Sequence, residues 1–447
     1  MRQYFQLAHK KNFLSILFLS IFAFGLFLRL GGIGFALPQR VHEDESKAVE
    51  IAMRIGTGDL NPRWFGYPNG TMMYGLAGIF HAVHTIAEYT FPRPIPAYEE
   101  AISRANWAWF WGVARVVVAM VGALMVWAVS RIGRKMLGTA GALLSAWLTA
   151  IAAVLVAHSH FITPDITQAL MLVFSSYFFY QYWQLEKRTR FLVLGSVFLG
   201  LAMGTKYPGI VGLYFPFIFI LLTWRSSSWR RKFNELAIVA IVSLGVFFIF
   251  NPYILVSWEA VKDNLLTEAR SAQAKHDGLG FWGNLWFYID TLWSRTSPAL
   301  PLLYPFGLLL AMWKKRWLIA GLLGFALVYI LGISLHGLHW ERWVIPAVPF
   351  FILAVTLFFV EALRIIKNGF HSRKILRVTF TLFLILMLAG TSLQMLWYTN
   401  KVVLRFYCRG VVTWRSVDYD ITLEDALRVT CPDYGKSLHT PEAIEPE

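Results

Sequence analysis

The sequence predicts an all-α polytopic membrane protein with about eleven transmembrane helices. Of its 447 residues, 57% are hydrophobic and only 15% are charged, and the mean hydropathy is +0.53. Soluble domains have roughly 45–50% apolar and about 25% charged residues, so the composition excludes a soluble enzyme. The 41 Lys and Arg outnumber the 26 Asp and Glu, but they stand in short clusters between apolar runs. That pattern is typical of cytoplasmic loops and does not indicate a nucleic-acid partner.

Each predicted span is an apolar run whose length is close to the ~20 residues that a helix needs to cross a bilayer. The first, 13–30, is interpreted as an uncleaved span because no small-residue cleavage site follows it. The other ten are 113–130, 139–157, 166–183, 191–203, 209–223, 236–256, 298–313, 317–335, 344–360 and 378–397. The spans 191–203 and 209–223 are short and are broken by the segment 204–208.

The basic clusters between the spans predict their orientation. These clusters lie at 131–135, 187–190, 225–232, 314–316 and 364–377. If the N-terminus is cytoplasmic, all of them fall on the cytoplasmic side, as the positive-inside rule requires. The long first outer loop, 31–112, then lies outside the cytoplasm. We therefore expect a multi-pass protein of the cell (inner) membrane, with its active site and its C-terminus extracytoplasmic.

The C-terminal tail is predicted to be a separate region. A transmembrane domain would cover residues 1–397, and a polar extracytoplasmic tail would cover residues 398–447. Cys408 and Cys431 both lie in this tail. An oxidising compartment favours a disulfide between them, although two unpaired thiols are the alternative.

Acidic residues and histidines gather at the predicted outer loops, whereas the spans contain almost no Asp or Glu. Ion-coupled transporters usually place carboxylates inside the bundle, so the pattern favours an active site at the outer membrane surface. The strongest cluster is 42–45, where Asp44 would open a short amphipathic helix that ends at 56–62. Complementing the helix dipole would also explain acids at this position. The apolar stretch 71–84 is expected to lie along the interface, because a span there would reverse the downstream charge pattern.

The order of several motifs resembles that of a known enzyme superfamily. The first span ends in Arg29, and the loop after it carries Asp44 and Glu45. Further along come Tyr67-Pro68, Arg115, His158-Ser159-His160, Thr163-Pro164-Asp165, Thr205-Lys206-Tyr207, Asn251-Pro252-Tyr253, His276-Asp277-Gly278 and Arg342-Trp343. This series resembles the GT-C glycosyltransferases, in particular the protein O-mannosyltransferases and the bacterial lipid A aminoarabinose transferase. The resemblance covers roughly residues 13–360 and departs from the family where Trp343 replaces the usual Tyr.

The resemblance implies an enzyme that transfers a hexosyl or pentosyl group from a polyprenyl-phosphate carrier to a glycan, lipid or protein acceptor. Displacement at the anomeric carbon needs a base for the acceptor proton and positive groups for the departing phosphate. By the family match, Asp44 is the expected base, and Glu45 contacts the sugar or orients the helix. Asp165 is the second expected catalytic acid, although Thr163-Pro164-Asp165 is also typical of a helix start.

The resemblance also implies binding residues. Arg115, Lys206 and Arg342 are expected to contact the donor phosphate, although basic residues at helix ends also reach lipid headgroups. Arg29 is interpreted as such an interface anchor. The expected substrate-contact residues are Tyr67, His158, His160, His276 and Asp277. No cofactor is expected, since the lipid-linked sugar is itself the donor.

Two other functions remain open from the sequence. One is a transporter or flippase of lipid-linked sugars, which intramembrane carboxylates would have favoured. The other is a metal-dependent ligase or hydrolase of cell-wall polymers, because His336, His339 and Glu341 lie close in sequence. A His-x-x-His-x-Glu pattern is weak evidence for a metal site when no helix fixes its spacing.

Overall fold

The computed structural model describes residues 2–37, 43–90, 98, 100, 107–184, 188–223, 228–268, 278–369 and 373–419. A helix forms at every predicted span. The helices are Arg2–Leu30, Glu43–Gly56, Gly70–Thr90, Trp107–Leu137, Thr139–Ala150, Ala153–His158, Pro164–Gln184, Thr189–Thr205, Tyr214–Leu222, Trp229–Phe250, Tyr253–Val256, Trp258–Glu268, Gly280–Arg295, Ala299–Trp313, Trp317–Ser334, Val348–Gly369 and Lys374–Tyr419. Two 3₁₀ segments, Tyr207–Leu213 and Glu341–Val344, interrupt them.

The predicted all-α membrane fold is confirmed, but the count of eleven spans is not. Six helices of the described chain are long and apolar enough to cross a membrane by themselves. They are Asn12–Leu30, Trp109–Leu137, Trp229–Phe250, Trp317–Ser334, Val348–Gly369 and Lys374–Tyr407. The other predicted spans are shorter, broken or more polar helices. Ala299–Trp313, for example, follows Gly280–Arg295 after a bend of 108°.

The second and third predicted spans form a tight antiparallel pair. They are joined at Gly138, whose φ of +76° lies in the left-handed region that favours glycine. A Cβ atom on Gly133 would lie only 2.5 Å from the carbonyl oxygen of Gly141. Small residues at this contact let the two helix backbones approach closely, as is common between membrane helices.

The third predicted span is broken, and a buried arginine occupies the break. Its first helix ends at Ala150, and a second begins at Ala153. The Arg29 guanidinium donates to the carbonyls of Thr149 and Ala150, both at 3.1 Å. The interpretation of Arg29 as an interface anchor is wrong, because its side chain is fully buried. It satisfies carbonyl groups that the broken helix leaves without intrahelical partners.

Two helices of the first outer loop form a platform over the bundle. Glu43–Gly56 begins within one residue of the expected start and packs against Gly70–Thr90. The backbone N–H of Gly70 donates to Oδ1 of Asn251 at 3.1 Å, which ties the platform to the end of Trp229–Phe250. A Cβ atom at Gly70 would collide with the carbonyl oxygen of Phe250, so glycine is required here.

The last helix, Lys374–Tyr419, continues well past its predicted end at residue 397. The predicted boundary at 397/398 therefore falls inside a helix. Beyond that boundary, the Phe406 ring stacks on His160 with centroids 4.2 Å apart. The side chain of Cys408 and all of Cys431 lie outside the described residues, so the disulfide stays a prediction.

We predict that a reporter fused after Tyr419 is extracytoplasmic, because the basic residues Arg373, Lys374 and Arg377 precede the last helix. Alkaline phosphatase, which is active only outside the cytoplasm, measures this. A fusion after Lys314 is the control and should be inactive. Inactivity of the Tyr419 fusion, with activity at Lys314, would reverse the orientation.

Candidate active site

A fully buried ion pair joins the outer loop to the helix bundle. Nε and Nη2 of Arg115 donate to the two carboxylate oxygens of Glu45 at 3.0 and 2.7 Å. Nη1 of Arg115 donates to the carbonyls of Ile33 at 3.2 Å and Phe35 at 2.6 Å. The backbone N–H of Ile162 also donates to Glu45 Oε1 at 3.0 Å. Two-point Arg–carboxylate contacts fix orientation as well as adding energy, so this pair holds four segments in register: the turn 31–37, the two helices that carry Glu45 and Arg115, and the loop that contains Ile162.

The environment of this pair disagrees with the expected phosphate contact of Arg115. Its guanidinium makes four hydrogen bonds to protein groups and lies 3.8 Å from the centroid of the Phe35 ring. Neither Arg115 nor Glu45 has exposed side-chain surface, so neither can touch a substrate in this conformation. Of the two roles expected for Glu45, orienting the helix fits this geometry, and holding the sugar does not.

The other four residues expected to be catalytic or phosphate-binding form a connected cluster, which we call the outer ion-pair cluster: Asp44, Asp165, Lys206 and Arg342. Lys206 Nζ lies 2.7 Å from Asp165 Oδ1. Arg342 Nη1 lies 2.9 Å from Asp44 Oδ2, and Arg342 Nε lies 3.9 Å from Asp165 Oδ2. Arg342 therefore bridges the two carboxylates, and the cluster contains two acids and two cations.

Four separate segments supply these residues, each at a helix end or break. Asp44 stands in the first turn of Glu43–Gly56, and Asp165 in the first turn of Pro164–Gln184. Lys206 follows the end of Thr189–Thr205, and Arg342 lies in the 3₁₀ segment Glu341–Val344. Acidic side chains at helix N-termini interact favourably with the helix dipole, so both positions suit an aspartate.

Exposure separates the two acids of the outer ion-pair cluster. The Asp44 side chain is 16% exposed, but that of Asp165 is only 2% exposed. Burial alone would raise the pKa of the Asp165 carboxyl, but Lys206 and Arg342 outweigh burial and lower this pKa. Burial lowers the pKa of the Lys206 ammonium, and the Asp165 carboxylate acts in the opposite direction. Asp165 is thus an anion that holds the two cations, and Asp44 is the acid that an incoming molecule can reach.

Several residues around the cluster were not expected from the sequence. The Trp343 ring lies 5.6 Å from Lys206 Nζ, and the Trp340 ring lies 5.0 Å from the Arg342 guanidinium carbon. Gln168 Nε2 donates to the Lys206 carbonyl at 2.9 Å. Its position three residues after Asp165 puts both on one helix face, which is the signal that would have identified it.

The expected substrate-contact residues are dispersed. His158 lies near enough to Asp165 to influence its charge, and its ring lies 6.0 Å from that of Phe161. His160 instead has both ring nitrogens at backbone carbonyls, with Nδ1 2.8 Å from Val156 and Nε2 2.9 Å from Gly31. This buried ring is used for structure and does not face the cluster.

The other three expected substrate-contact residues are Tyr67, His276 and Asp277, and the structure describes only the first of them. The Tyr67 ring packs edge-on against Trp64 at 4.4 Å, in the loop before Gly70–Thr90. His276 and Asp277 lie outside the described residues. Their expected contact with substrate stays a prediction.

The sequence pattern that suggested a metal site does not assemble into one. Within the described ranges, no three His, Cys, Asp or Glu side chains come together as metal ligands would. Glu341 faces Arg295 at 3.1 Å, while His339 packs against Phe287 with ring centroids 4.4 Å apart. The metal-dependent ligase or hydrolase has no support from this arrangement.

Comparison with known proteins agrees with the fold. No curated protein sequence matches the chain significantly. A family model described as dolichyl-phosphate-mannose-protein mannosyltransferase matches residues 110–256, about a third of the chain. That segment contains Arg115, Asp165 and Lys206.

Solved structures match over most of the chain. The apo oligosaccharyltransferase of Archaeoglobus fulgidus is 14% identical with a TM-score of 0.57, over 88% of this chain and 56% of that one. The chain thus spans little more than half the length of that protein. Apo ArnT of Cupriavidus metallidurans is 17% identical with a TM-score of 0.55, over 90% and 75% of the two chains. The same ArnT bound to undecaprenyl phosphate is 17% identical with a TM-score of 0.52, over 95% of this chain and 79% of that one.

We predict that Glu45→Ala destabilises the protein strongly, because it leaves Arg115 buried without its carboxylate. Removing one partner of a buried pair typically costs about 3–5 kcal/mol. Thermal unfolding in detergent measures the loss. Glu259→Ala is the control, since Glu259 is an exposed acid in the first turn of another helix and should change stability by about 0.5 kcal/mol or less. Equal melting temperatures for the two variants would contradict the structural role of Glu45.

Over most of the chain these helices have the fold of ArnT and of the archaeal oligosaccharyltransferase, and residues 110–256 match the mannosyltransferase family model, as the sequence resemblance predicted.

Proposed function

We propose that this protein transfers a sugar from a polyprenyl-phosphate donor to an acceptor at the outer face of the membrane. The observation that carries this proposal is the outer ion-pair cluster, in which two carboxylates and two cations from four segments converge. The fold supports the proposal, since ArnT of this fold has been solved with undecaprenyl phosphate bound.

The cluster contains the groups that the proposed reaction needs. The acceptor attacks the anomeric carbon, and its proton passes to the Asp44 carboxylate as the new bond forms. The electron pair of the breaking carbon–oxygen bond goes to the phosphate oxygen, which leaves as polyprenyl phosphate. Lys206 and Arg342 stabilise the negative charge that grows on this oxygen.

The contacts of the two acids support different roles for them. Asp44 is the more exposed of the two, so an acceptor can approach its carboxylate, and Arg342 lies 2.9 Å from its Oδ2 atom. Asp165 is buried against Lys206 at 2.7 Å and has no such access. Asp165 therefore acts as a positioning residue that keeps Lys206 and Arg342 in place for the donor phosphate, in place of the catalytic role expected from the sequence.

We predict that Asp44→Asn abolishes most of the transfer without unfolding the protein. Asn preserves the shape and helix-capping capacity of Asp, but it cannot accept the proton. Loss of a general base typically lowers the rate by a factor of about 10² to 10⁴. The measurement is turnover with a polyprenyl-phosphate sugar, in variants matched for melting temperature.

Asp59→Asn is the matched control for Asp44→Asn. Asp59 lies in the same outer loop and also pairs with an arginine, Arg63, at 2.7 Å. It should retain nearly normal turnover. If Asp44→Asn keeps more than about a third of wild-type turnover, Asp44 is not the base.

We predict that Arg342→Gln weakens binding of undecaprenyl phosphate at least about tenfold, since hydrogen bonds to charged groups contribute about 1.5–3 kcal/mol. Titration of purified protein with undecaprenyl phosphate measures this without requiring the sugar or the acceptor. Arg295→Gln is the control, because Arg295 forms an exposed pair with Glu341 on the same face. Similar affinities for wild type and both variants would remove Arg342 from the phosphate site.

A further inference from the structure

An apolar groove lies between three helices at the end of the bundle opposite the outer ion-pair cluster. Ala299–Trp313, Val348–Gly369 and Lys374–Tyr419 form its walls, and its volume is about 500 Å³. Every lining side chain is apolar, and Phe306, Trp313 and Phe383 are each more than half exposed. Val348–Gly369 and Lys374–Tyr407 are long and apolar enough to cross a membrane, so we expect the exposed aromatic side chains of the groove to face lipid. The groove is therefore shaped for a hydrocarbon chain.

A basic cluster lies where this groove ends. The buried carboxylate of Glu361 contacts three cations: Lys314, Arg316 at 2.9 Å and Arg364 at 2.6 Å. One carboxylate cannot neutralise three cations, so the cluster keeps an excess of positive charge. Lys314 directly follows Trp313, which lines the groove.

The third wall adds another cation at the same end. Arg377, Phe380 and Leu384 have the i, i+3, i+7 spacing that places side chains on one helix face. Phe380 and Leu384 line the groove, so Arg377 lies one helical turn beyond them toward its basic end. The positive-inside rule assigns this end to the cytoplasm.

We propose that the groove binds an anionic phospholipid of the cytoplasmic leaflet. One acyl chain lies along Phe306, Leu310 and Phe383, and the headgroup phosphate lies against Lys314 and Arg377. Basic pockets between membrane helices on the cytoplasmic side are suited to anionic headgroups. The excess positive charge selects an anionic over a zwitterionic lipid. A polyprenyl phosphate is not the occupant, since its phosphate belongs at the opposite face under the proposed function.

The test uses the full chain, purified in detergent and stripped of lipid. Native mass spectrometry measures the affinity for dioleoyl phosphatidylglycerol, and for dioleoyl phosphatidylcholine as the zwitterionic comparison. We expect tighter binding of the anionic lipid. Arg377→Gln should weaken that binding about fivefold, since a basic residue near an anionic membrane lipid contributes about 1 kcal/mol. Arg134→Gln, at an exposed position in another basic turn, should leave the affinity unchanged.

Further arms of the experiment separate the alternatives. Dihexanoyl phosphatidylglycerol, with the same headgroup and short chains, should bind much more weakly if the groove holds the chain. Equal affinity for the two chain lengths, or for the two headgroups, would overturn the proposal. So would equal weakening by Arg134→Gln and Arg377→Gln, which would indicate non-specific surface charge. Displacement of the phospholipid by an equal concentration of undecaprenyl phosphate would also overturn the proposal, because the groove would then be a binding site for the polyprenyl-phosphate carrier. This experiment measures lipid affinity and not sugar transfer. Its result can therefore be interpreted even if the proposed transferase activity is disproved.

Discussion

The geometry of the candidate active site depends on the buried ion pair between Arg115 and Glu45. A charge taken out of water is costly unless it is paired and hydrogen-bonded, so this pair tolerates little displacement. Arg115 binds the turn after the first helix through Ile33 and Phe35, and Glu45 binds the backbone of Ile162. Asp44 precedes Glu45 on the same helix, so the buried acid sets the position of the accessible one.

The outer ion-pair cluster has equal numbers of acids and cations before any substrate arrives. Lys206 and Arg342 are held by Asp165 and Asp44, so under the proposed function neither cation has to be recruited from solvent when a phosphate binds. A guanidinium has five N–H donors, so Arg342 can contact a phosphate while it still bridges the two acids. Holding charged groups in place beforehand lowers the reorganisation that stabilising the leaving group requires. The rings of Trp340 and Trp343 flank these cations.

The sequence predicted the helical membrane fold because apolar runs and basic clusters report directly on spans and loops. Of the six charged residues that motif order marked as catalytic or phosphate-binding, Asp44, Asp165, Lys206 and Arg342 lie together in one cluster. The sequence did not predict the ion pair between Glu45 and Arg115, because two residues that are 70 positions apart leave no local pattern. The break after Ala150 was missed for a related reason: hydropathy counts apolar residues and is insensitive to whether they form one helix or two.

The burial of Arg29 has a consequence for how the chain enters the membrane. Its carbonyl partners outside its own helix, Thr149 and Ala150, lie 120 and 121 residues later in the sequence. At roughly 5–20 residues per second, the ribosome needs about 6–24 s to synthesise that interval. During this time the guanidinium has only the Gly25 carbonyl of its own helix as a partner, at 2.8 Å, so we expect it to stay near the headgroups or in the insertion machinery, because a poorly partnered arginine is costly in hydrocarbon. The first helix therefore reaches its final depth only after the third predicted span has been made, so assembly of this bundle is coupled to the order of synthesis.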